Sequence, residues 1–389
     1  MSLYFPIEIN SLTYYLIGAS LVLTVVLFLW FLMRFLTIKK GINRDYNFTE
    51  EKPGASIIVY AKNDADYLAQ FLPIILNQDY PNFEVIVVND GSTDATKDLL
   101  SDFEMRYSNL YQTFAPEDTR SVSRKKLSVM LGIKAAKYDY IINTNANCQP
   151  QTDQWIAAIM RNFTKGVDVV IGHAHPIYKE DRGIGRWFRS FHFLQNCIQY
   201  LVYAINGKPY RGTNDNLAYR KQTFFNNKGF SHSMNLHYGD DDVFVSEIAN
   251  EDNTRVELSS DSILIAHYYD VAEAFVNLKL RYDFTSRYLH TTAFAQSSFI
   301  SFIYILDFLA IAGIIAIDYI NPLNYAIAVG LLLMLTLPQI IIYRKTAKIM
   351  QSIRLFFSVP LFSLLYPFIN LWYKIKGRRA RTLNFTWQR

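Results

Sequence analysis

Apolar positions along this chain follow three spacings, and each predicts a different kind of element. Residues 12–33 form an uncharged apolar run long enough to cross a bilayer, and residues 299–317 and 323–343 form two more. Between them, residues 48–270 mix polar and apolar positions as a soluble segment does. There Ala55, Ser56, Ile57, Ile58, Val59 and Tyr60 make a short buried-strand pattern that ends in Ala61, Lys62, Asn63 and Asp64. Residues 67–76 then carry apolar positions at helical spacing. Pro81-Asn82 predicts a turn, residues 83–88 a second buried strand ending in Asn89, Asp90, Gly91, Ser92, Thr93 and Asp94, and Leu99 and Leu100 lie on a following helix. A further strand through Tyr138, Tyr140, Ile141 and Ile142 is expected to stop at a polar turn, Asn143 to Cys148. This alternation predicts a largely parallel α/β sheet, with the polar strand ends gathered at one edge. Ligands bind beyond the carboxyl ends of such strands.

Length and composition sharpen the division. A chain of 389 residues with 51% hydrophobic and 15% aromatic content exceeds one average domain. The first apolar run is too long for a cleaved signal peptide, lacks a basic start and has no small-residue cleavage site, so it is expected to remain as an anchor. Arg34, Lys39, Lys40 and Arg44 follow it, whereas Glu8 is the one charged side chain before it, which places the middle of the chain in the cytoplasm. Cys148 and Cys197 suit a reducing compartment and build no disulfide framework. The net charge of +5 is accounted for by membrane-flanking Lys and Arg beside anionic lipid, and no nucleic-acid partner is expected.

Candidate chemistry lies in the polar strand ends. An Asp beside Gly and Ser before a helix start, as at Asp90, suits a nucleoside and a phosphate, although the same residues also make an ordinary helix-entry turn. Asp240, Asp241 and Asp242 cluster three carboxylates, where like charge raises at least one pKa and favours proton abstraction; the plainer reading is an exposed acidic turn. His173 and His175 alternate on a predicted strand without a nearby third ligand, which fits structural or solvent-facing histidines better than a metal site.

Taken as a set, Asn63-Asp64, Gln78-Asp79-Tyr80-Pro81, the run from Asn89 to Asp94, Lys125-Lys126 with Gly132-Ile133 after them, Gly212 with Asn216-Leu217-Ala218-Tyr219-Arg220-Lys221, and Gly239-Asp240-Asp241-Asp242 resemble the family-two glycosyltransferases over roughly residues 53–282. The resemblance implies a GT-A fold, a Rossmann-like and mostly parallel sheet, in a membrane-bound inverting enzyme using a nucleotide-diphosphate sugar. It implies that Tyr60, Ala61, Asn63, Asp64 and Asp90 hold the nucleoside side of the donor and Lys126 its diphosphate. It further implies Asp241, with Asp240, as the catalytic carboxylate, and Asp242 and Arg281 on the acceptor side.

The chain departs from the family in three places. The metal motif, two Asp separated by one residue, falls on Asn145 and Asn147, so both carboxylates are amides. A neutral amide oxygen adds no charge against a divalent ion, and Mg²⁺ or Mn²⁺ binding is expected to be weak or absent. The Gln-x-x-Arg-Trp element keeps only Arg281, in Leu278-Lys279-Leu280-Arg281-Tyr282, and the family-like Gly-Arg-Asn turn is replaced by Asn214-Asp215-Asn216.

Past residue 270 the period is helical, with Val271, Phe275, Leu278 and Tyr282 on one face and Lys279, Arg281 and Arg287 near the other. It is read as an interfacial amphipathic helix, the alternative being a core helix of the soluble domain. Residues 355–373 are followed by Lys374, Lys376, Arg378, Arg379 and Arg381, and Pro360 and Pro367 are expected to break them into a re-entrant or interfacial pair. Asp307, inside a span, is expected to face protein rather than lipid.

The expected organisation is an N-terminal anchor at 1–44, a nucleotide-sugar domain at 45–270, an interfacial helix at 271–298 and a C-terminal membrane region at 299–389. The expected activity is transfer of a sugar to a lipid-linked or envelope-glycan acceptor at the cytoplasmic membrane. The rival reading is a non-catalytic family member that partners an active transferase.

Overall fold

The computed structural model describes residues 9–42, 44, 46–115, 123–178, 183–268, 271–353 and 357–384; Glu8, the boundary at Asp270, the start of the last apolar run at Leu355, and the side chains of Val271, Arg378, Arg379 and Arg381 lie outside that description. In chain order the elements are α1 (Ser11–Ile42), β1 (Ala55–Ala61), α2 (Ala65–Leu76), β2 (Phe83–Asn89), α3 (Thr96–Arg106), β3 (Leu110–Phe114), α4 (Arg124–Ala135), β4 (Tyr140–Asn145) and β5 (Cys148–Pro150). They continue with α5 (Trp155–Met160), β6 (Val169–Ile171), β7 (Ala174–Tyr178), α6 (Gly183–Ile205), β8 (Leu217–Arg220), α7 (Lys221–Asn226), α8 (Asp242–Ile248), β9 (Thr254–Val256) and β10 (Leu264–Tyr268). Four helices close the chain: α9 (Val271–Thr285), α10 (Ala293–Ile317), α11 (Pro322–Ile349) and α12 (Ser358–Asn384).

These elements form two compact units, one of residues 40–182 and 196–291, the other of residues 1–39, 183–195 and 292–389. In the first, a sheet of order β3-β2-β1-β4-β8-β6-β9 has its first four strands parallel, with β8 antiparallel to both neighbours. A small second sheet is ordered β5-β10-β7. β1 and β2 are buried on both faces, as their continuous apolar runs require of central parallel strands. Helix α2 covers the sheet with Leu68, Phe71, Leu72, Ile75 and Leu76, and α4 comes close because residue 132 is glycine. A Cβ there would stand 2.6 Å from Ile58 Cγ2.

The order of the strands places the site. β2 and β3 lie to one side of β1 and β4 to the other, so the sheet changes direction of winding between β1 and β4, where an α/β sheet opens a crevice beyond its carboxyl ends. The expected turn over Asn143 to Cys148 is corrected here. Asn143, Thr144 and Asn145 continue β4, and the turn shrinks to Ala146-Asn147, because Asn143 pairs with Leu217 of β8 and Asn145 with Tyr60 of β1. The polar side chains of this strand are met in part: Asn143 Nδ2 donates to the Tyr219 hydroxyl at 2.8 Å, while its Oδ1 has no hydrogen-bond partner.

The second unit holds three helices long and apolar enough to cross a membrane: α1, α10 and α11. Asp307 of α10 is fully buried, accepting hydrogen bonds from Ser20 Oγ at 2.6 Å and Thr24 Oγ1 at 2.8 Å, so it faces protein as expected. The final run does not split at its prolines. α12 is one continuous helix, with Pro360 in its first turn, where a missing N–H costs nothing, and Pro367 inside it. It carries an exposed apolar stripe of Leu361, Leu365, Phe368, Trp372 and Ile375 and is not among the candidate spans. Residues 183–195, the start of α6, also belong to this unit, with Phe191 against Tyr343 and Phe362, and His192 against Tyr366.

Helix α9 differs from its interfacial reading. It belongs to the unit of the sheet as far as Thr285, and it turns Lys279 and Arg281 inward. For Arg281 the reason is electrostatic: the carboxylates of Asp240 and Asp241 lie on that side, and a largely buried guanidinium is stable only where such partners meet it.

Candidate active site

The corner built by β1 and β2 is laced by its own side chains. Asp90 closes β2, its backbone N–H donates to the Ala61 carbonyl at 2.9 Å, and its buried carboxylate accepts from the Tyr60 hydroxyl at 2.8 Å and from Arg124 Nε at 2.8 Å. Burial, and after it the Asp90 charge, push the Tyr60 phenol well above its ordinary pKa. Asn63 adopts a left-handed φ of 54°, which Asn tolerates better than most residues, and its Oδ1 accepts from the Thr93 N–H at 2.8 Å. Asp64 accepts from the Lys62 N–H at 2.8 Å, and burial raises its carboxyl pKa. Asn63 and Asp64 therefore shape the two loops, while Tyr60 and Asp90 form the polar floor.

A second cluster surrounds α8. Asp240 is held by Arg281 Nη2 at 3.0 Å, Asn214 Nδ2 at 2.6 Å and Lys125 Nζ at 3.2 Å. Burial pushes its carboxyl up, yet Arg281 and Lys125 together outweigh burial and hold it below the ordinary carboxylate range. Asp241 caps α8: its Oδ1 accepts from the Asp242 N–H at 2.7 Å and meets Arg281 Nη2 at 2.5 Å, while its Oδ2 has a longer bond from the Asn214 N–H at 3.3 Å. Asp242 is fully buried between Thr285 Oγ1 at 2.5 Å and Arg211 Nε at 3.6 Å. Burial and the Asp241 charge raise its pKa. Arg211, itself buried, lies 4.0 Å over the Tyr282 ring.

The two clusters are continuous. Lys125, paired with Asp240, sits 5.2 Å over the ring of Tyr60, which in turn holds Asp90. The lysine expected to face the diphosphate is corrected by this geometry. Lys126 is 0% exposed and spends its ammonium on the carbonyls of Ser233 and Leu236, and burial pulls its pKa down to about 8. On a helix, neighbouring residues point about 100° apart, so only one of two adjacent lysines can reach the crevice. Here it is Lys125.

At the metal-motif positions the two amides differ. Asn147 joins the turn to β10: its Nδ2 donates to the His267 backbone carbonyl at 2.9 Å and its backbone carbonyl accepts the His267 N–H at 2.9 Å. Asn145 Nδ2 donates to Asp215 Oδ1 at 2.6 Å, and its Oδ1 is buried with no hydrogen-bond partner. Burial raises the pKa of Asp215. A divalent ion fits this chain only partly: the Asn147 amide is held to β10 through its Nδ2, and Asn145 Oδ1 and the Asp215 carboxylate are the oxygen donors beside it. His173 and His175 are buried rather than solvent-facing, and burial lowers the His175 pKa to about 4. No group of three or more His, Cys, Asp or Glu among the described residues is placed to hold a metal. Sequence reasoning passes over Arg124 and Arg211 and meets Lys125 and Asp215 only as parts of longer motifs; the cationic run Arg124-Lys125-Lys126 at a helix start was the available signal.

The Glycosyl transferase family 2 model matches residues 56–224. Glycosyltransferase AglE of Haloferax volcanii is 27% identical over 150 residues, covering 38% of this chain and 48% of that protein. Glycosyltransferase GlyG of Streptococcus pneumoniae is 29% identical over 147 residues, covering 38% and 46%. The chain thus spans about half the length of these curated relatives. Among solved structures, the mannosyltransferase PcManGT from Pyrobaculum calidifontis in complex with GDP-Man and Mn²⁺ superposes with a TM-score of 0.58 and 16% identity over 92% of this chain and 99% of that one. Such a likeness carries the fold.

Proposed function

We propose, from the premise that residues 56–224 of this chain belong to glycosyltransferase family 2, that the protein is a membrane-anchored transferase of GT-A fold. It moves a sugar from a nucleotide-diphosphate donor to a lipid-linked or envelope-glycan hydroxyl, by single displacement with inversion. One observation carries this reading: Asp90, Tyr60, Lys125, Asp240, Arg281 and Asp241 form one unbroken chain of contacts across the carboxyl edge of the sheet. That chain joins a nucleoside corner to a carboxylate cluster.

In this reading the nucleoside lies against Tyr60, Asp64 and Asp90. Asp241 takes the proton of the acceptor hydroxyl through Oδ2, the oxygen that Arg281 leaves aside. Arg281 orients that carboxylate, and Asp242, locked by Thr285 and Arg211, fixes the start of α8 behind it. Lys125 supplies positive charge where the leaving diphosphate gains negative charge. A divalent ion, when bound, neutralises the same diphosphate. The candidate spans α1, α10 and α11 hold the unit at the bilayer, and the basic residues after α1 favour a cytoplasmic face.

The alternative, a non-catalytic partner of an active transferase, draws support from the two amides at 145 and 147 and from Arg281 occupying Asp241. Calorimetry with a panel of nucleotide sugars, followed by transfer assays on Asp241→Asn, separates the two. The enzyme reading expects donor binding in both proteins and a loss of turnover of roughly 10²–10⁴-fold in the variant. Donor binding without turnover in the native chain favours the partner reading. Full turnover in the variant removes Asp241 from the mechanism.

A further inference from the structure

The register of the sheet brings together two residues that the sequence keeps 70 positions apart. β4 and β8 pair antiparallel, with Tyr140 opposite Arg220 and Asn143 opposite Leu217. Continued by two residues, that register sets Asn145 across from Asp215, and the 2.6 Å hydrogen bond between their side chains is the result. The resemblance places a carboxylate at 145 and an arginine at 215. This chain has an amide at 145 and a carboxylate at 215. The negative charge has not been lost from the end of β4; it has crossed to the facing strand.

We propose that Asp215 is the carboxylate ligand of a Mg²⁺ or Mn²⁺ ion that binds together with the donor diphosphate, with Asn145 Oδ1 as its neutral companion. The inference rests on the donor-binding reading above. Four observations support it. Asp215 makes no ion pair within 4 Å with a Lys or Arg of the described residues, although the charges of Lys125 and Arg281 reach it; its side-chain contacts are the Asn145 amide and the Cys148 thiol, 3.7 Å from Oδ1. Asn145 Oδ1 is buried without a hydrogen-bond partner, a costly state for a polar atom unless something not made of protein completes it. The adjoining Asn214, 3% exposed, also has an Oδ1 without a partner, on the amide whose Nδ2 reaches Asp240. Finally, Asn147 Nδ2 holds the backbone of β10 and so fixes the turn after Asn145, while its Oδ1 meets the Cys148 thiol at 3.8 Å.

A single carboxylate is enough for this ion if the substrate supplies the rest. Mg²⁺ is commonly held by one or two carboxylates, substrate phosphates and retained waters, and not by an all-protein cage. That explains why the described residues contain no cluster of three acidic or imidazole ligands. It also predicts that the ion binds weakly to the free protein and firmly only with a nucleoside diphosphate present.

The test is Mn²⁺ binding to the full-length protein in detergent, read by electron paramagnetic resonance with and without GDP or UDP, beside calorimetry of the same nucleotides in Mn²⁺ and in chelator. The expected result is Mn²⁺ retention that appears with one of the nucleotides and weakens about tenfold or more in Asp215→Asn, the size of effect seen when even a residue supporting a metal ligand is lost. A far-UV circular dichroism spectrum and melting temperature matching the native protein show that Asp215→Asn is folded, and its nucleotide affinity in chelator should be no weaker than native, because a carboxylate beside the diphosphate has been removed. Asn145→Asp, which sets a carboxylate against Asp215, is expected to tighten Mn²⁺ binding. Equal Mn²⁺ affinity in the native protein and Asp215→Asn, or equal nucleotide affinity in Mn²⁺ and chelator, overturns the cation site and leaves the transferase reading standing. Failure of the native protein to bind either nucleotide under any condition overturns both.

Discussion

Lys279 shows how a single side chain can set a pH response. It is 8% exposed on the inward face of α9, and burial, helped by the Arg211 charge, brings its pKa down to about 7 from an ordinary 10.5. A folded-state pKa below the unfolded one means that the unfolded chain binds more protons between about pH 7 and 10.5. Stability therefore rises with pH across that window and is lost as pH falls through about 7. Lys279→Met keeps the length of the stem and removes the charge, so its melting temperature should exceed that of the native protein at pH 6 and change less between pH 6 and 8. An unchanged pH slope in thermal melts of the variant would show that another group carries the response. The same scale decides the site. Lys125 and Lys126 are chemically identical neighbours, yet one reaches Asp240 and the other is spent on the carbonyls of Ser233 and Leu236.

At the scale of elements, close packing of α4 on the sheet depends on one position. A Cβ at residue 132 would lie 2.6 Å from Ile58 Cγ2 and 3.0 Å from Val88 Cγ2, both on buried central strands. Overpacking of that kind typically costs about 1–3 kcal/mol. Gly132→Ala should therefore lower stability by about that amount, read by denaturant or thermal unfolding, and it should also disturb Lys125, which α4 carries to the crevice. A neutral substitution would mean that α4 can move away from β1 and β2 without loss. Helix α6 was legible and overlooked: Ile184, Trp187, Phe188, Phe191, Leu194, Ile198, Leu201 and Ile205 follow helical spacing. Helix α9 was legible as a helix but not in its orientation. Its cations could face headgroups or carboxylates, and only the presence of Asp240 and Asp241 beside it decided between them.

For the whole molecule, the three candidate spans and the basic residues after α1 predict a topology that can be measured. With Arg34, Lys39 and Lys40 on the inner side of α1, and with α10 and α11 forming a hairpin, residue 52 and residue 376 should lie on the cytoplasmic side and Tyr319 outside. Cysteines placed at 52, 319 and 376 can be probed with a membrane-impermeant thiol reagent, because the native Cys148 and Cys197 are buried. Labelling of intact cells should reach 319 alone; labelling at 376 would mean that α12 crosses the bilayer. The sequence by itself determined the local part of this protein. Continuous apolar runs specified β1 and β2, helical spacing specified α2 and α9, uncharged stretches specified the candidate spans, and clustered polar residues marked the strand ends, because each of these follows from the burial of a segment's own side chains. The tertiary structure alone decided which polar side chains meet. Asn145 finds Asp215 through the β4–β8 register, Arg281 finds Asp240 and Asp241 across some 40 residues, and Asn147 is fastened to β10. Those pairings depend on which strands become neighbours and on the desolvation of charge between them, and neither is encoded within any one segment of the chain.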